Sequence, residues 1–152
     1  MRKLLLLLTA TIGICCSGCV IMPSGAEYSY DIQPNIFPDD SSGVVYFMRE
    51  NEFTGGGRGW FISEGNKKIG VVRGGTYFIH KTTPGKHSYI VDTHATSVVT
   101  IDVEAGKKYY LLSWVTVPVF VGTIRWHQKE IPASVANELL PKLKYIYTTF
   151  TK

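Results

Sequence analysis

The sequence predicts a mainly β protein, an antiparallel β-sandwich of about seven or eight strands with a short C-terminal helix. Three observations predict it. Short runs of β-branched and aromatic residues recur from Gly43 to Lys129, a composition that suits strands. Turn residues such as Glu64-Gly65-Asn66, Pro84-Gly85 and Ala105-Gly106 punctuate those runs, as sandwich and open-barrel sequences do. Helical spacing of apolar residues is confined to one stretch near the C-terminus.

The chain begins Met1-Arg2-Lys3, and an apolar run from Leu4 to Ile14 follows. The run is far shorter than the ~20 residues a membrane-spanning helix needs. A basic end, a short apolar stretch and a small-residue cleavage site are the layout of a secretory signal peptide, here 1–18. Cleavage is expected between Gly18 and Cys19. Ser17 and Gly18 are small enough to admit the backbone to a peptidase, and the Cys19 thiol follows directly to receive a lipid. This resembles the bacterial lipobox, with Cys16 where leucine is usual. The resemblance implies a lipid-modified Cys19 and no other cofactor. Stable anchoring takes two lipid signals, and a multi-acyl cysteine satisfies that requirement. Val20 stands where aspartate would favour retention on the inner membrane. The expected address is the outer membrane, on its periplasmic side by default.

Cys15 and Cys16 leave with the signal peptide, so the mature chain has one cysteine and no internal disulfide. Its stability must come from its core. The 133 residues after Cys19 suffice for one domain. Loss of Arg2 and Lys3 lowers the formal charge from +4 to +2. That balance is no nucleic-acid signature. The expected partners are the membrane, through the anchor, and an envelope protein or glycan.

Residues 19–42 hold three prolines and a Ser/Asp cluster without sustained period and read as a spacer. Some of its apolar residues, Tyr28, Tyr30, Ile32, Ile36 and Phe37, suggest that part of it lies on the domain surface. The domain proper is expected over 43–152. Val44 to Arg49 is a buried strand by composition, and Gly55 to Gly59 is a flexible loop. Strands follow at Trp60–Ser63, Lys68–Val72, Thr76–Thr82 and Lys86–Thr93. Pro84-Gly85 suits the centre of a type II turn. Val99, Ile101 and Val103 alternate with polar residues, the period of a half-buried strand. Lys108–Val117 and Val119–Lys129 are further strands, separated by Pro118. Pro132 sits near a helix start, and Val135, Leu139 and Leu143 form a short stripe at helical spacing. Tyr145 to Phe150 reads as extended or frayed.

Val45-Tyr46-Phe47-Met48-Arg49, the glycine-bounded turn after Val72, Pro84-Gly85-Lys86-His87 and Ala105-Gly106-Lys107-Lys108-Tyr109-Tyr110-Leu111 occur in that order. Together they resemble the small bacterial lipoproteins that carry the domain of unknown function 2846, similar to PEGA-type β-sandwich domains. The resemblance covers about Gly43 to Glu138. It implies an antiparallel sandwich and assigns no activity, cofactor or catalytic residue.

The chemistry-bearing residues do not assemble into an enzyme on sequence alone. Gly55 to Gly59 lacks the following helix and lysine of a phosphate loop. No serine stands in a nucleophile elbow, and no two carboxylates are marked as a facing acid and base. His80 and His87 flank Pro84-Gly85. In a two-residue hairpin they would be diagonal neighbours ~7–8 Å apart. They are the weak candidates for a metal pair, without a close third ligand where zinc takes three or four. Trp60, Trp114 and Trp126 lead a large aromatic set. On an outer face such rings could stack on a sugar or a peptide; inside, they would fill the core, which is the preferred reading. The expected function is therefore a non-enzymatic, membrane-anchored module that binds a protein or surface polymer. A small-ligand or glycan binder using exposed aromatics is the alternative, and a metal-dependent hydrolase a weaker third.

Overall fold

The computed structural model describes residues 26–30, 33–52, 57–91, 97–118 and 124–150. The expected signal peptide, with Gly18, and Cys19 lie outside them, as do Gly55 and Gly56 of the glycine loop. Ten strands form two sheets among the described residues: β1 (Ala26–Tyr30), β2 (Gly43–Arg49), β3 (Trp60–Glu64), β4 (Lys67–Val72), β5 (Thr76–Thr82), β6 (Gly85–Val91), β7 (Ser97–Val103), β8 (Lys108–Thr116), β9 (Arg125–Glu130) and β10 (Lys144–Phe150). The six-stranded sheet has the order β1-β10-β5-β2-β8-β9, and the four-stranded sheet the order β4-β3-β6-β7. The chain alternates between them, leaving the large sheet after β2 and again after β5 and returning each time.

The sandwich is as expected; its pairing is not wholly antiparallel. β2 runs parallel to β8, and β10 runs parallel to β5 at Lys144 and Tyr145. Parallel neighbours need a long crossover. The passage through the small sheet supplies it for β2 and β8. The two strands beyond the expected number come from segments with weak patterns. β1 lies in the expected spacer, and β10 is the segment read as extended or frayed. β1 pairs along its full length with Ile146–Phe150 of β10.

The expected boundary at residue 43 is also too late. Besides β1, Ile36 packs against the core, Gln33 accepts a hydrogen bond from the Tyr77 hydroxyl at 2.6 Å, and Asp39 bridges to Ser42. The Asp39 carboxylate takes Lys81 and the hydroxyls of Ser41 and Ser42, and these bonds hold it well below the usual carboxylate range.

β2 is buried along its entire length, and alternation along it separates two cores. Val45 and Phe47 face the gap between the sheets, with Trp60, Ile62, Phe78, Tyr89 and Leu111. Val44, Tyr46 and Met48 face outward into a second cluster with Tyr77, Tyr110 and Tyr145. The C-terminal helix α1 (Ala133–Leu139) and the single turn Leu140–Lys142 cover that outer face. Pro132 precedes α1 in extended conformation, as the sequence suggested. The buried stripe differs: Ala136 is fully buried, whereas Val135 is exposed. A small side chain at 136 lets a seven-residue helix lie close over the sheet, and Leu139, Leu140 and Leu143 fill its flank.

The Pro84-Gly85 step corrects the most consequential expectation. It closes no hairpin, because β5 and β6 belong to different sheets. Proline and a glycine at φ +130° carry the chain across the sandwich instead. The Gly65-Asn66 turn between β3 and β4 is a true hairpin, with Gly65 at φ +55° and Glu64 paired with Lys67.

Candidate functional site

The crossover places His80 and His87 on opposing sheets. His80 projects from β5 beside Val45, toward the gap. His87 projects from β6 on the same face as Tyr89, also toward the gap. Between them stands Glu64, the last residue of β3, paired with Tyr89 on the small sheet. One carboxylate oxygen is hydrogen-bonded to His87 Nδ1, and the other lies 3.4 Å from His80 Nε2. His87 Nε2 is 2.8 Å from the Thr83 carbonyl oxygen. Both ring nitrogens of His87 thus face oxygen.

Glu64 is the residue that sequence reasoning missed. It sits at a hairpin end, where a solvated charge is the ordinary expectation, and nothing in its neighbours signals the two rings. The expected pair therefore does have a close third group. The three do not aim at a common point: each oxygen of the carboxylate takes a different ring. No three His, Cys, Asp or Glu side chains among the described residues are grouped to hold a metal ion.

The cluster is half-buried, and its ionisation follows from that. Burial raises the Glu64 carboxyl, but the hydrogen bond from His87 and the charges of His87 and His80 outweigh it, so the net shift is downward. Burial lowers His80, only partly offset by Glu64, with Lys67 and His87 adding to the depression. The Tyr89 ring is fully buried beside both imidazoles, 6.1 Å from His80 and 6.2 Å from His87 between centroids. Burial and the Glu64 charge push its phenol well above the usual tyrosine range, so it stays a neutral hydroxyl.

Both depressed groups bind fewer protons in the folded state than in the unfolded chain, so stability is lost as the pH is lowered. The His80 contribution declines below its ordinary value of 6.5, and the Glu64 contribution declines below 4.5. Urea unfolding is expected to show a midpoint that drops from pH 7.5 to pH 5. In His80→Gln that upper part of the drop is expected to shrink. A wild-type midpoint unchanged across this interval would contradict the assignment.

The three tryptophans separate. Trp60 and Trp126 are core residues, 4% and 3% exposed, with ring centroids 5.6 Å apart. A ligand cannot stack on either ring, so two of the three speculative binding residues are withdrawn. Inward alternation on β3 and β9 buries them. Trp114 alternates outward on β8 and is half-buried. It stacks on His127 at 5.1 Å, with Lys129 5.6 Å from its centroid. With Glu50, Glu52 and Lys129, Trp114 lines a cavity of about 180 Å³ near the outer face. Beneath this region, Arg49 is fully buried at the end of β2, its guanidinium 5.1 Å from the Trp126 ring. Burial lowers its pKa, against the charge of Glu52. The sequence reading placed Arg49 at the end of a buried strand but did not anticipate a fully buried guanidinium.

No helix among the described residues is long and apolar enough to cross a membrane. Comparison of the chain with family models, with curated proteins and with solved structures gives no match.

Proposed function

We propose that this chain is a lipoprotein of the bacterial cell envelope, anchored to the outer membrane through Cys19. Its β-sandwich serves as a non-enzymatic module that binds a protein or surface polymer. The observation that carries the reading is Cys19 directly behind Ser17-Gly18, at the end of a basic and then apolar leader. The architecture is compatible with display rather than turnover. One face of the large sheet is closed by α1, the inter-sheet gap is packed, and the Glu64 carboxylate is engaged by two imidazoles. The surface offered to a partner is the one around Trp114, Glu50, Glu52 and Lys129, where an outward ring meets charges of both signs.

Mass spectrometry of the mature N-terminus tests the anchor. A diacylated or triacylated Cys19 is expected, and Cys19→Ser is expected to move the protein from the membrane to the soluble fraction completely. An unmodified thiol on a soluble mature chain would refute the reading. A photo-crosslinker at position 114, used in intact envelopes, tests the partner surface. It is expected to give a discrete adduct that a crosslinker at Val98 does not give.

A further inference from the structure

One end of the inter-sheet gap holds buried polar atoms where the rest holds apolar core. Arg49 on β2 pairs with Ser113 on β8, and Ser113 pairs with Gln128 on β9, so the three stand in one row across neighbouring strands of the large sheet. Each lies two residues beyond a residue of the inter-sheet core, namely Phe47, Leu111 and Trp126, so strand alternation turns the row into the gap. Arg49 and Ser113 are shut off from solvent. Trp60 faces Trp126 from the small sheet, with 5.6 Å between ring centroids.

Trp60 Nε1, Trp126 Nε1, Ser113 Oγ and both amide atoms of Gln128 are buried there without a hydrogen-bond partner. Buried polar groups are nearly always paired, and orphans gathered in one place call for a water or an ion. These orphans are rich in donors. An indole N–H can only donate, the serine hydroxyl and the amide nitrogen add further donors, and Gln128 Oε1 is the one obligate acceptor. The field at this end is positive as well. The Arg49 guanidinium lies 5.1 Å from the Trp126 ring, and the Arg58 guanidinium lies 4.4 Å from the Trp60 ring. Glu50, Glu52 and Lys129 line the cavity beside Trp114, and Ser113 forms part of its wall. The row therefore lies directly beneath an opening to solvent.

We infer that the Arg49-Ser113-Gln128 row and the Trp60–Trp126 pair form a binding site for a small oxyanion at this end of the gap. The two indole N–H groups, the Ser113 hydroxyl and the Gln128 amide N–H donate to its oxygens, and the two guanidinium groups supply compensating charge. The Gln128 carbonyl accepts from an anion that itself carries a hydroxyl, which favours hydrogencarbonate or hydrogen phosphate over a bare halide. The site is distinct from the outward Trp114 surface and holds whether or not Cys19 is lipidated.

Thermal unfolding of the purified full chain tests the site, after exhaustive dialysis into a buffer whose anion is a bulky sulfonate. Hydrogencarbonate, phosphate or chloride is then titrated in at fixed ionic strength. A ligand that binds the folded chain alone raises the midpoint as its concentration rises. A saturable rise is expected with at least one of the two oxyanions, and none with chloride. Trp126→Phe keeps a ring and removes its N–H, and Gln128→Leu removes the amide. Each is expected to weaken the apparent affinity about tenfold or more, the worth of a hydrogen bond to a charged group. Should Trp126→Phe fail to fold, Gln128→Leu and Ser113→Ala carry the comparison. An equal shift with all three anions, a shift unchanged in the variants that fold, or no shift at all overturns the site and leaves the orphans to water alone.

Discussion

Phe47→Ala is expected to destabilise the domain by about 3–5 kcal/mol, the cost of emptying a buried phenylalanine site. Phe47 has no exposed surface and lies near the middle of the large sheet, on the strand flanked by β5 and β8. Its ring stacks on Phe78 at 4.7 Å and 10°, and meets Tyr89 edge-on at 4.9 Å and 87°. Phe78 belongs to the large sheet and Tyr89 to the small one, so Phe47 joins the two layers. Truncation removes both ring contacts, and the surrounding strands are too constrained by their ladders to collapse into the space. Domains are stable by only ~5–15 kcal/mol, so the variant is expected to be partly unfolded at 37 °C. Urea unfolding of the purified chain measures the effect; a loss below 1 kcal/mol would show that the stack is not central to the core.

Gly70→Ala is expected to cost about 1–3 kcal/mol through overpacking of the same stack, and Gly70→Val more. A Cβ built on Gly70 would lie 2.5 Å from Cε2 and Cζ of Phe78. The ring has no room to retreat, because Phe47 lies against it and Tyr89 lies against Phe47. The sign is diagnostic. In a strand with free space, replacing glycine by alanine gains ~0.5–1 kcal/mol of backbone entropy. A double-mutant cycle with Phe78→Leu separates the two effects, since contacting residues couple and independent ones add. The smaller side chain is expected to recover much of the Gly70→Ala loss. A neutral or stabilising Gly70→Ala would count against the close approach of β4 to β5.

These two residues also show where sequence reading succeeds and where it stops. Phe47 was legible as core because it sits in an unbroken apolar run, which only a strand buried on both faces tolerates. Gly70 was legible as a strand residue, but its requirement for hydrogen depends on a ring eight residues away in the other sheet. Glu64 and the two histidines repeat the lesson. His80 and His87 stood out as a pair from the Pro84-Gly85 step between them, yet the hairpin geometry put them on one face. Crossing between sheets brings them instead to either side of a carboxylate that sequence distance had hidden. Trp60, Trp114 and Trp126 looked alike as residues. Strand alternation relative to the gap buries two and turns the third outward.

The amino-acid order alone determined the local grammar of this protein: the strand runs, the Gly65 turn, the helix that follows Pro132 and the two-layer class. Those features depend on neighbours within a few residues, where backbone preference and side-chain period act directly. Only the tertiary structure decided which strands share a sheet, that β1 and β10 complete the larger one, and that Glu64 receives both imidazoles. Pairing of distant strands is set by the burial of whole faces against one another, a property that no short segment possesses.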